Sequence, residues 1–304
     1  MRSVARLTIA VLAPLACAQA HAHQVGGAAL ARWVPSWSFE PWVVICLGLS
    51  GSMYVGGLAA LWQRAGAGRG VGAWRAASFG LGWVSLVVAL DSPLDSLGEY
   101  LFSAHMVQHE ILMLVASPLL VVGRPIAVWV WALPMVARRW AGRLLHAPAW
   151  RVPWLWISAP IPAWILHALA LWVWHVPTLF EAALADQAIH TAQHLTFFFS
   201  ALLFWWSVLG SVTRNHKGIA LVSLFTTMVH TGALGALLTL SSTSWYPSYA
   251  ATAPEFDLTA IEDQQLGGLV MWVPAGFVYL ICGLALAASW LNRAPVAAIP
   301  LRPV

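Results

Sequence analysis

The chain alternates long apolar stretches with short polar loops, and this alternation is its dominant pattern. A helix needs about 20 mostly apolar residues to cross the hydrocarbon core of a bilayer. Loops of fewer than about thirty residues leave no room for a soluble domain between the apolar stretches. We therefore predict an all-α, polytopic membrane helical bundle with seven transmembrane helices over residues 41–291. The predicted spans are 41–62, 73–91, 100–122, 153–174, 187–210, 218–240 and 265–291.

Prolines mark two departures from straight spanning helices. The apolar run 126–137 is short and contains Pro134, so we predict that it forms an interfacial helix. Pro160 and Pro162 lie inside the fourth predicted span. Proline within a helix removes one backbone hydrogen bond and clashes with the preceding turn. A kink is therefore expected in that span.

Composition supports membrane insertion and argues against nucleic acid binding. Of the 304 residues, 60% are hydrophobic and only 9% are charged, whereas soluble domains carry roughly 25% charged residues. The net charge of +4 comes from basic residues that are scattered through short loops instead of forming a patch. We therefore expect the lipid bilayer, and not nucleic acid, to be the partner of this surface.

The distribution of charge predicts the orientation. With the mature N-terminus outside, 12 of the 15 Lys and Arg residues lie on the inner side of the predicted spans. Cytoplasmic loops of membrane proteins carry such an excess of positive charge. We therefore predict a protein of the bacterial plasma (inner) membrane, with a periplasmic N-terminal segment at 23–40 and a cytoplasmic tail at 292–304.

Residues 1–22 have the features of a secretory signal peptide. Arg2 and Arg6 precede a short apolar core, and the sequence that follows offers two Ala-x-Ala cleavage sites. This order of a charged start, an apolar core and small residues is typical of signal peptides. We therefore predict a signal peptide at residues 1–22 and assign this segment no part in the fold.

The polar residues that interrupt the apolar spans are mostly histidines, and four of them form two copies of one motif. His105-x-x-Gln-His109 opens the third predicted span, and His190-x-x-Gln-His194 opens the fifth. Residues four apart on a helix lie about 40° apart around its axis, so both imidazoles of each pair point the same way. Ionisable groups at membrane depth are costly and by default indicate function.

Three further residues fall at a matching depth in the predicted topology. His175 ends the fourth span, His230 lies near the middle of the sixth and Asp263 opens the seventh. We therefore predict one metal site near the periplasmic side, and we expect His167 to line the same cavity. The predicted ligands are His105, His109, His175, His190, His194, His230 and Asp263.

The residue types narrow the identity of the metal without fixing it. The chain contains three cysteines and no C-x-x-C motif, which excludes the usual thiolate site. Imidazole ligands suit copper or zinc. Haem is an alternative, since histidines on facing helices can hold its iron. Two other interpretations remain: a proton-conducting transporter with a relay through His167, His175 and His230, or hydrogen-bonded core histidines without a metal.

Several segments resemble one known family. They are 100–125 (YLFSAHMVQHEILMLVASPLLVVGRP), 174–184 (WHVPTLFEAAL), 190–206 (HTAQHLTFFFSALLFWW), 230–249 (HTGALGALLTLSSTSWYPSY) and 262–274 (EDQQLGGLVMWVP). Together they are similar to the seven-helix CtaG family of cytochrome c oxidase assembly factors, over most of residues 40–291. The resemblance implies a non-enzymatic assembly factor with copper insertion as its suspected role. It also implies oxidase subunits or a periplasmic copper carrier as partners.

Overall fold

The computed structural model describes residues 33–209 and 217–292, which are helical with no β-strand. The predicted signal peptide, residues 23–32 of the predicted periplasmic segment and residues 293–304 of the predicted tail lie outside this range. In chain order the α-helices of the described part are α1 (Pro41–Ala65), α2 (Ala73–Leu90), α3 (Pro93–Gly98), α4 (Phe102–Glu110), α5 (Ser117–Gly123), α6 (Pro125–Ala132), α7 (Met135–His146), α8 (Pro148–Ile157), α9 (Pro160–Trp174), α10 (Pro177–Ala185), α11 (Gln187–Leu209), α12 (Lys217–Leu240) and α13 (Ala260–Leu291).

The long helices confirm the predicted class of fold. Among the described residues, six helical segments are long and apolar enough to cross a membrane, and there are seven if the bent pair α8–α9 counts as one span. The two helices of that pair meet at 64°. The bend lies where Pro160 occupies the first turn of α9. Proline is favoured at that position because an N–H group there would have no hydrogen-bond partner within the helix. The predicted kink is therefore present.

The predicted interfacial run 126–137 is divided between two helices. The run begins within α6, which packs closely against α1: a Cβ placed on Gly57 would lie within 3 Å of the Val128 carbonyl group. The turn at Pro134 separates α6 from α7. Helix α7 carries Arg138, Arg139 and Arg143 and has no buried residue. This run therefore joins a packed helix to a basic, exposed one.

The third span contains a π-helical segment, Ile111–Ala116, between α4 and α5. Pro118 has no N–H to donate, so the carbonyl group five residues earlier, that of Met113, receives no π-type hydrogen bond from it. The indole Nε1–H of Trp205 donates to that carbonyl at 2.8 Å. Such substitution by a neighbouring side chain is how membrane helices tolerate irregular backbone. The irregularity begins two residues after His109, and π segments are frequent at functional sites.

Helices α12 and α13 approach each other through glycines. A Cβ on Gly235 would lie 2.8 Å from the Gly268 carbonyl oxygen, and a Cβ on Gly268 would lie 2.7 Å from the Gly235 carbonyl oxygen. Small residues permit this close backbone contact, which drives helix association within lipid. The contact fixes the position of α13, whose first turn carries Asp263.

Gly268→Ala is expected to destabilise the bundle by about 1–3 kcal/mol, because the added methyl group forces α12 and α13 apart. Thermal unfolding in detergent would measure the loss. Gly276→Ala is the matched control on the same helix, since a Cβ there meets no atom within 4 Å. Equal stability of the two variants would show that the close contact contributes nothing.

Candidate metal centre

Local capping determines where the histidine motifs enter the bundle. The Asp186 carboxylate accepts hydrogen bonds from the backbone N–H groups of Ala188 and Ile189 at 2.8 and 3.0 Å. An aspartate in this position stabilises a helix start, so His190 and His194 fall in the first two turns of α11. His105 and His109 occupy the corresponding turns of α4. Both helices therefore present their histidine pairs at one end of the bundle.

The two motifs meet face to face. His105 and His109 have ring centres 4.3 Å apart, and His190 and His194 have ring centres 4.2 Å apart. Between the helices, the ring of His194 lies 5.1 Å from that of His109 and 5.8 Å from that of His105. We call the five residues of this group the histidine cluster: His105, His109, His175, His190 and His194.

Three members of the histidine cluster can reach one ion. His105, His109 and His194 each offer a ring nitrogen, and these three nitrogens all lie within 4.8 Å of one another. The three residues are buried, with 1–7% of their surface exposed. Nε2 of His105, both ring nitrogens of His109 and Nε2 of His194 make no hydrogen bond. Buried polar groups without partners are costly, and a shared cation would satisfy them.

His175 extends the cluster at the end of α9. Its Nδ1 lies 2.6 Å from the Leu171 carbonyl oxygen, which can only accept, so Nδ1 carries the proton. The Nε2 lone pair is then available, and this atom is buried without a hydrogen-bond partner. A hydrogen bond from the other ring nitrogen to a carbonyl is the usual way in which proteins orient a metal-ligating histidine. The His175 ring centre is 6.5 Å from that of His109.

Aromatic side chains cover one side of the histidine cluster. The ring of Phe180 lies 5.2 Å from that of His105 and 4.3 Å from that of Tyr246. Tyr246 donates a hydrogen bond to the His175 carbonyl oxygen at 3.0 Å. His190 is the half-buried member of the cluster. The arrangement therefore closes the cluster under aromatic rings and leaves His190 as its most exposed imidazole.

Asp263, which we predicted as a ligand, makes a different contact. Its carboxylate accepts hydrogen bonds from the backbone N–H groups of Phe102 and Ser103 at 2.6 and 3.0 Å, and from the Ser103 hydroxyl at 2.6 Å. These are the first N–H groups of α4, which has no side-chain cap of its own. Asp263 lies outside the three-histidine group described above. Asp263, on α13, therefore caps α4, the helix that carries His105 and His109.

His230 also lies outside the three-histidine group. Its ring is 5.8 Å from that of Trp164 on α9. The predicted site residues are therefore divided: five form the histidine cluster, Asp263 caps α4, and His230 lies against Trp164 of α9. The covering aromatic residues Phe180 and Tyr246 were not predicted from the sequence.

The glutamine of the first motif holds α4 against its neighbours. The Gln108 amide donates hydrogen bonds at 2.7 Å to the Ala89 carbonyl oxygen and to the Asp95 carboxylate. Burial raises the pKa of Asp95 to about 6, and the Gln108 hydrogen bond opposes that rise. In the second motif, the amide of Gln193 is buried with neither polar atom hydrogen bonded. Glu110 makes no hydrogen bond to His109, whose two nitrogens are both unpartnered.

A large apolar cavity adjoins the cluster at His194. Its volume is about 590 Å³, within the range of roughly 300–1,000 Å³ that is usual for small-molecule sites. Trp42, Phe198, Trp206 and other apolar residues form most of its wall, and Cys46 and His194 also line it.

A family model matches most of the chain. The family described as cytochrome c oxidase caa3 assembly factor (Caa3_CtaG) matches residues 52–293. The match includes every residue of the histidine cluster, as well as His167, His230 and Asp263.

Similar proteins occur in mycobacteria. Uncharacterized proteins of Mycobacterium bovis and Mycobacterium tuberculosis are each 28% identical to the chain over 280 residues, and one of Mycobacterium leprae is 25% identical over 275 residues. Each alignment covers 87% of this chain, but the chain spans only 40–41% of the length of these relatives. No solved structure matches the sequence significantly.

Proposed function

This chain belongs to the cytochrome c oxidase caa3 assembly factor family, and from that premise we propose that it binds copper in the histidine cluster during assembly of the oxidase. The single observation that carries the proposal is the convergence of His105, His109 and His194, whose ligand atoms lie within 4.8 Å of one another. Such a group, buried and short of hydrogen bonds, has no evident structural purpose without a shared cation.

The donor set selects the class of ion. Calcium and magnesium prefer oxygen ligands, whereas this group offers imidazole nitrogens and no carboxylate. Imidazole suits copper and zinc, and copper insertion is the role that the family resemblance implies. Copper is therefore the cargo that agrees with both the ligands and the family.

One histidine of the cluster is more exposed than the others, which suits a carrier better than a permanent structural site. His190 is half-buried, and its ring lies 4.2 Å from that of His194 and 5.3 Å from that of His105. A copper ion could thus exchange ligands one at a time between His190 and the buried three. We propose that this end of the bundle faces the periplasm. Oxidase subunits or a periplasmic copper carrier would meet it there.

Metal content tests the proposal directly. The full chain, purified in detergent and loaded anaerobically with copper(I), should lose one copper ion per chain when His105, His109 and His194 are all changed to alanine. His146→Ala is the matched control, because His146 is exposed and bonded to the Gly142 carbonyl oxygen of its own helix. Unchanged copper content in the triple variant would contradict the proposal.

Oxidase assembly supplies the second test. In cells that lack this protein, the wild-type chain should restore caa3-type oxidase activity, whereas His194→Ala should restore it only when excess copper is supplied. The physical reason is that excess copper bypasses a step limited by ion delivery. Full restoration by His194→Ala at low copper would exclude copper delivery through the cluster.

The apolar cavity beside His194 favours haem handling as a second candidate function. A haem iron held by two histidines needs one on each face of the ring. His105 and His109, one turn apart on one helix, cannot both serve in that way, so the compact group fits a single ion better. A Soret band in the purified protein after incubation with haem, lost in His194→Ala, would favour the haem function.

A further inference from the structure

A basic and aromatic surface lies at the end of the bundle opposite the histidine cluster. Glu40, which precedes the first residue of α1, accepts a hydrogen bond from Gln187 at the start of α11, the helix that carries His190 and His194. The 25 residues of α1 then extend for about 36 Å along the helix axis. Arg64, in the last turn of α1, is therefore far from the candidate metal centre.

Two guanidinium groups approach one indole ring at this end. The guanidinium carbon of Arg64 on α1 lies 5.9 Å from the ring centre of Trp131 on α6, and that of Arg138 on α7 lies 4.2 Å from it. Arg138 also donates three hydrogen bonds, at 2.8–3.2 Å, to carbonyl oxygens at the C-terminal end of α6. These contacts hold two positive charges beside the same ring.

Helix α7 presents an apolar stripe next to these charges. Val136, Trp140 and Leu144 follow one another at intervals of four residues and are 63–69% exposed. Arg139 and Arg143 follow Val136 and Trp140 by three positions, so they lie along one edge of the stripe. The Arg143 guanidinium carbon is 5.4 Å from the Trp140 ring centre. Since α7 has no buried residue, the described part of the chain leaves this face uncovered.

The surroundings offer no negative charge to this surface from its own segments. No Asp or Glu occurs at residues 41–90 or 111–180, which include α1, α2 and α5 to α9. Helix α7 leads directly into the bent pair α8–α9, which is apolar enough to count as one membrane span. The arginines are therefore next to the membrane and need a partner that carries negative charge.

We propose that α7, together with Arg64 and Arg138, binds the headgroups of anionic phospholipids in the leaflet at this end of the bundle. A helix with arginines beside Trp and Leu side chains lies in the plane of the membrane interface and is attracted to anionic lipids. The planar guanidinium group matches the phosphate oxygens. A nucleic acid would satisfy the arginines but would leave the apolar stripe in water, whereas a lipid satisfies both.

Lipid binding to the full chain in detergent, measured by native mass spectrometry, tests this proposal. Phosphatidylglycerol should bind more tightly than phosphatidylcholine. Arg139→Gln/Arg143→Gln should weaken phosphatidylglycerol binding by about 25-fold, or about fivefold for each arginine, and should leave phosphatidylcholine binding unchanged. Arg69→Gln is the matched control, because Arg69 is exposed in the loop that follows α1, and it should bind phosphatidylglycerol like the wild type.

A second variant separates a lipid from a soluble anion. Trp140→Gln/Leu144→Gln keeps every arginine and removes the apolar stripe, so it should also weaken phosphatidylglycerol binding. The replaced side chains are exposed, and the Tm without anionic lipid should therefore equal that of the wild type.

Three results would overturn the proposal. The first is equal affinity of the wild type for the two lipids. The second is an equal loss in Arg69→Gln, which would assign binding to surface charge in general. The third is full binding in Trp140→Gln/Leu144→Gln together with displacement of the lipid by inorganic phosphate or a short RNA, which would assign the arginines to a soluble anion. Copper content should be unchanged in all these variants, so the result is independent of the proposed function.

Discussion

Replacing His109 with alanine is expected to lower the affinity of the histidine cluster for copper(I) by about 100-fold or more. His109 has the central position, since its ring lies 4.3 Å from that of His105 and 5.1 Å from that of His194. Both of its ring nitrogens are buried without hydrogen bonds. Competition with a chromophoric copper(I) chelator would measure the change, and His105→Ala and His194→Ala should behave in the same way.

The stability of the metal-free protein distinguishes a ligand from a core residue. His109→Ala removes two buried nitrogens that make no hydrogen bond, which stabilises the folded state, and it leaves a small cavity, which destabilises it. These two effects oppose each other. The Tm without metal should therefore change little, while the rise in Tm on adding copper(I) should shrink, because that rise follows the ligand affinity. A large fall in Tm without metal, with copper affinity retained, would identify His109 as structural. His146→Ala should alter neither quantity.

Asp263→Ala is expected to destabilise the protein by about 3 kcal/mol, even without metal. The carboxylate is fully buried and accepts the hydrogen bonds of Phe102 and Ser103 at the start of α4. Removing it leaves the first N–H groups of that helix without partners in an environment that excludes water. Thermal or denaturant unfolding in detergent would measure the loss. Copper affinity should fall as well, because α4 carries His105 and His109.

A second aspartate provides the control for this experiment. Asp257 is exposed and adopts a left-handed backbone conformation with φ of 59°, which asparagine tolerates well. Asp257→Asn should therefore change stability by less than about 0.5 kcal/mol. If Asp263→Ala left the metal-free stability intact and removed copper, Asp263 would be a ligand, as the sequence alone led us to expect.

The spanning helices were predictable because hydropathy is a local property. Length and apolar character suffice to place a helix in lipid, where each backbone group must bond within its own segment. The bend at Pro160 was predictable because proline is poorly tolerated inside a continuous helix and is favoured at a helix start. The π segment at Ile111–Ala116 did not, because it depends on the hydrogen bond from Trp205, a residue 92 positions from Met113 along the chain.

The candidate site was predictable only in part. The four-residue spacing in each H-x-x-Q-H motif placed two imidazoles on one face, since helix geometry alone decides this. Depth in the predicted topology also grouped His175 with the two pairs, and its ring lies 6.5 Å from that of His109. Depth could not separate His230 from the cluster, because residues at similar depth on different helices can face different directions.

The sequence by itself determined the membrane class, the spans and the two histidine pairs, because hydropathy and helical periodicity act over a few turns of chain. Only the tertiary structure decided which imidazoles meet, since that depends on the rotation of each helix against its neighbours. It also assigned Asp263 to the start of α4, because a carboxylate binds whichever donors the packing brings to it. Here the packing of α13 against α4 offered backbone N–H groups and a hydroxyl.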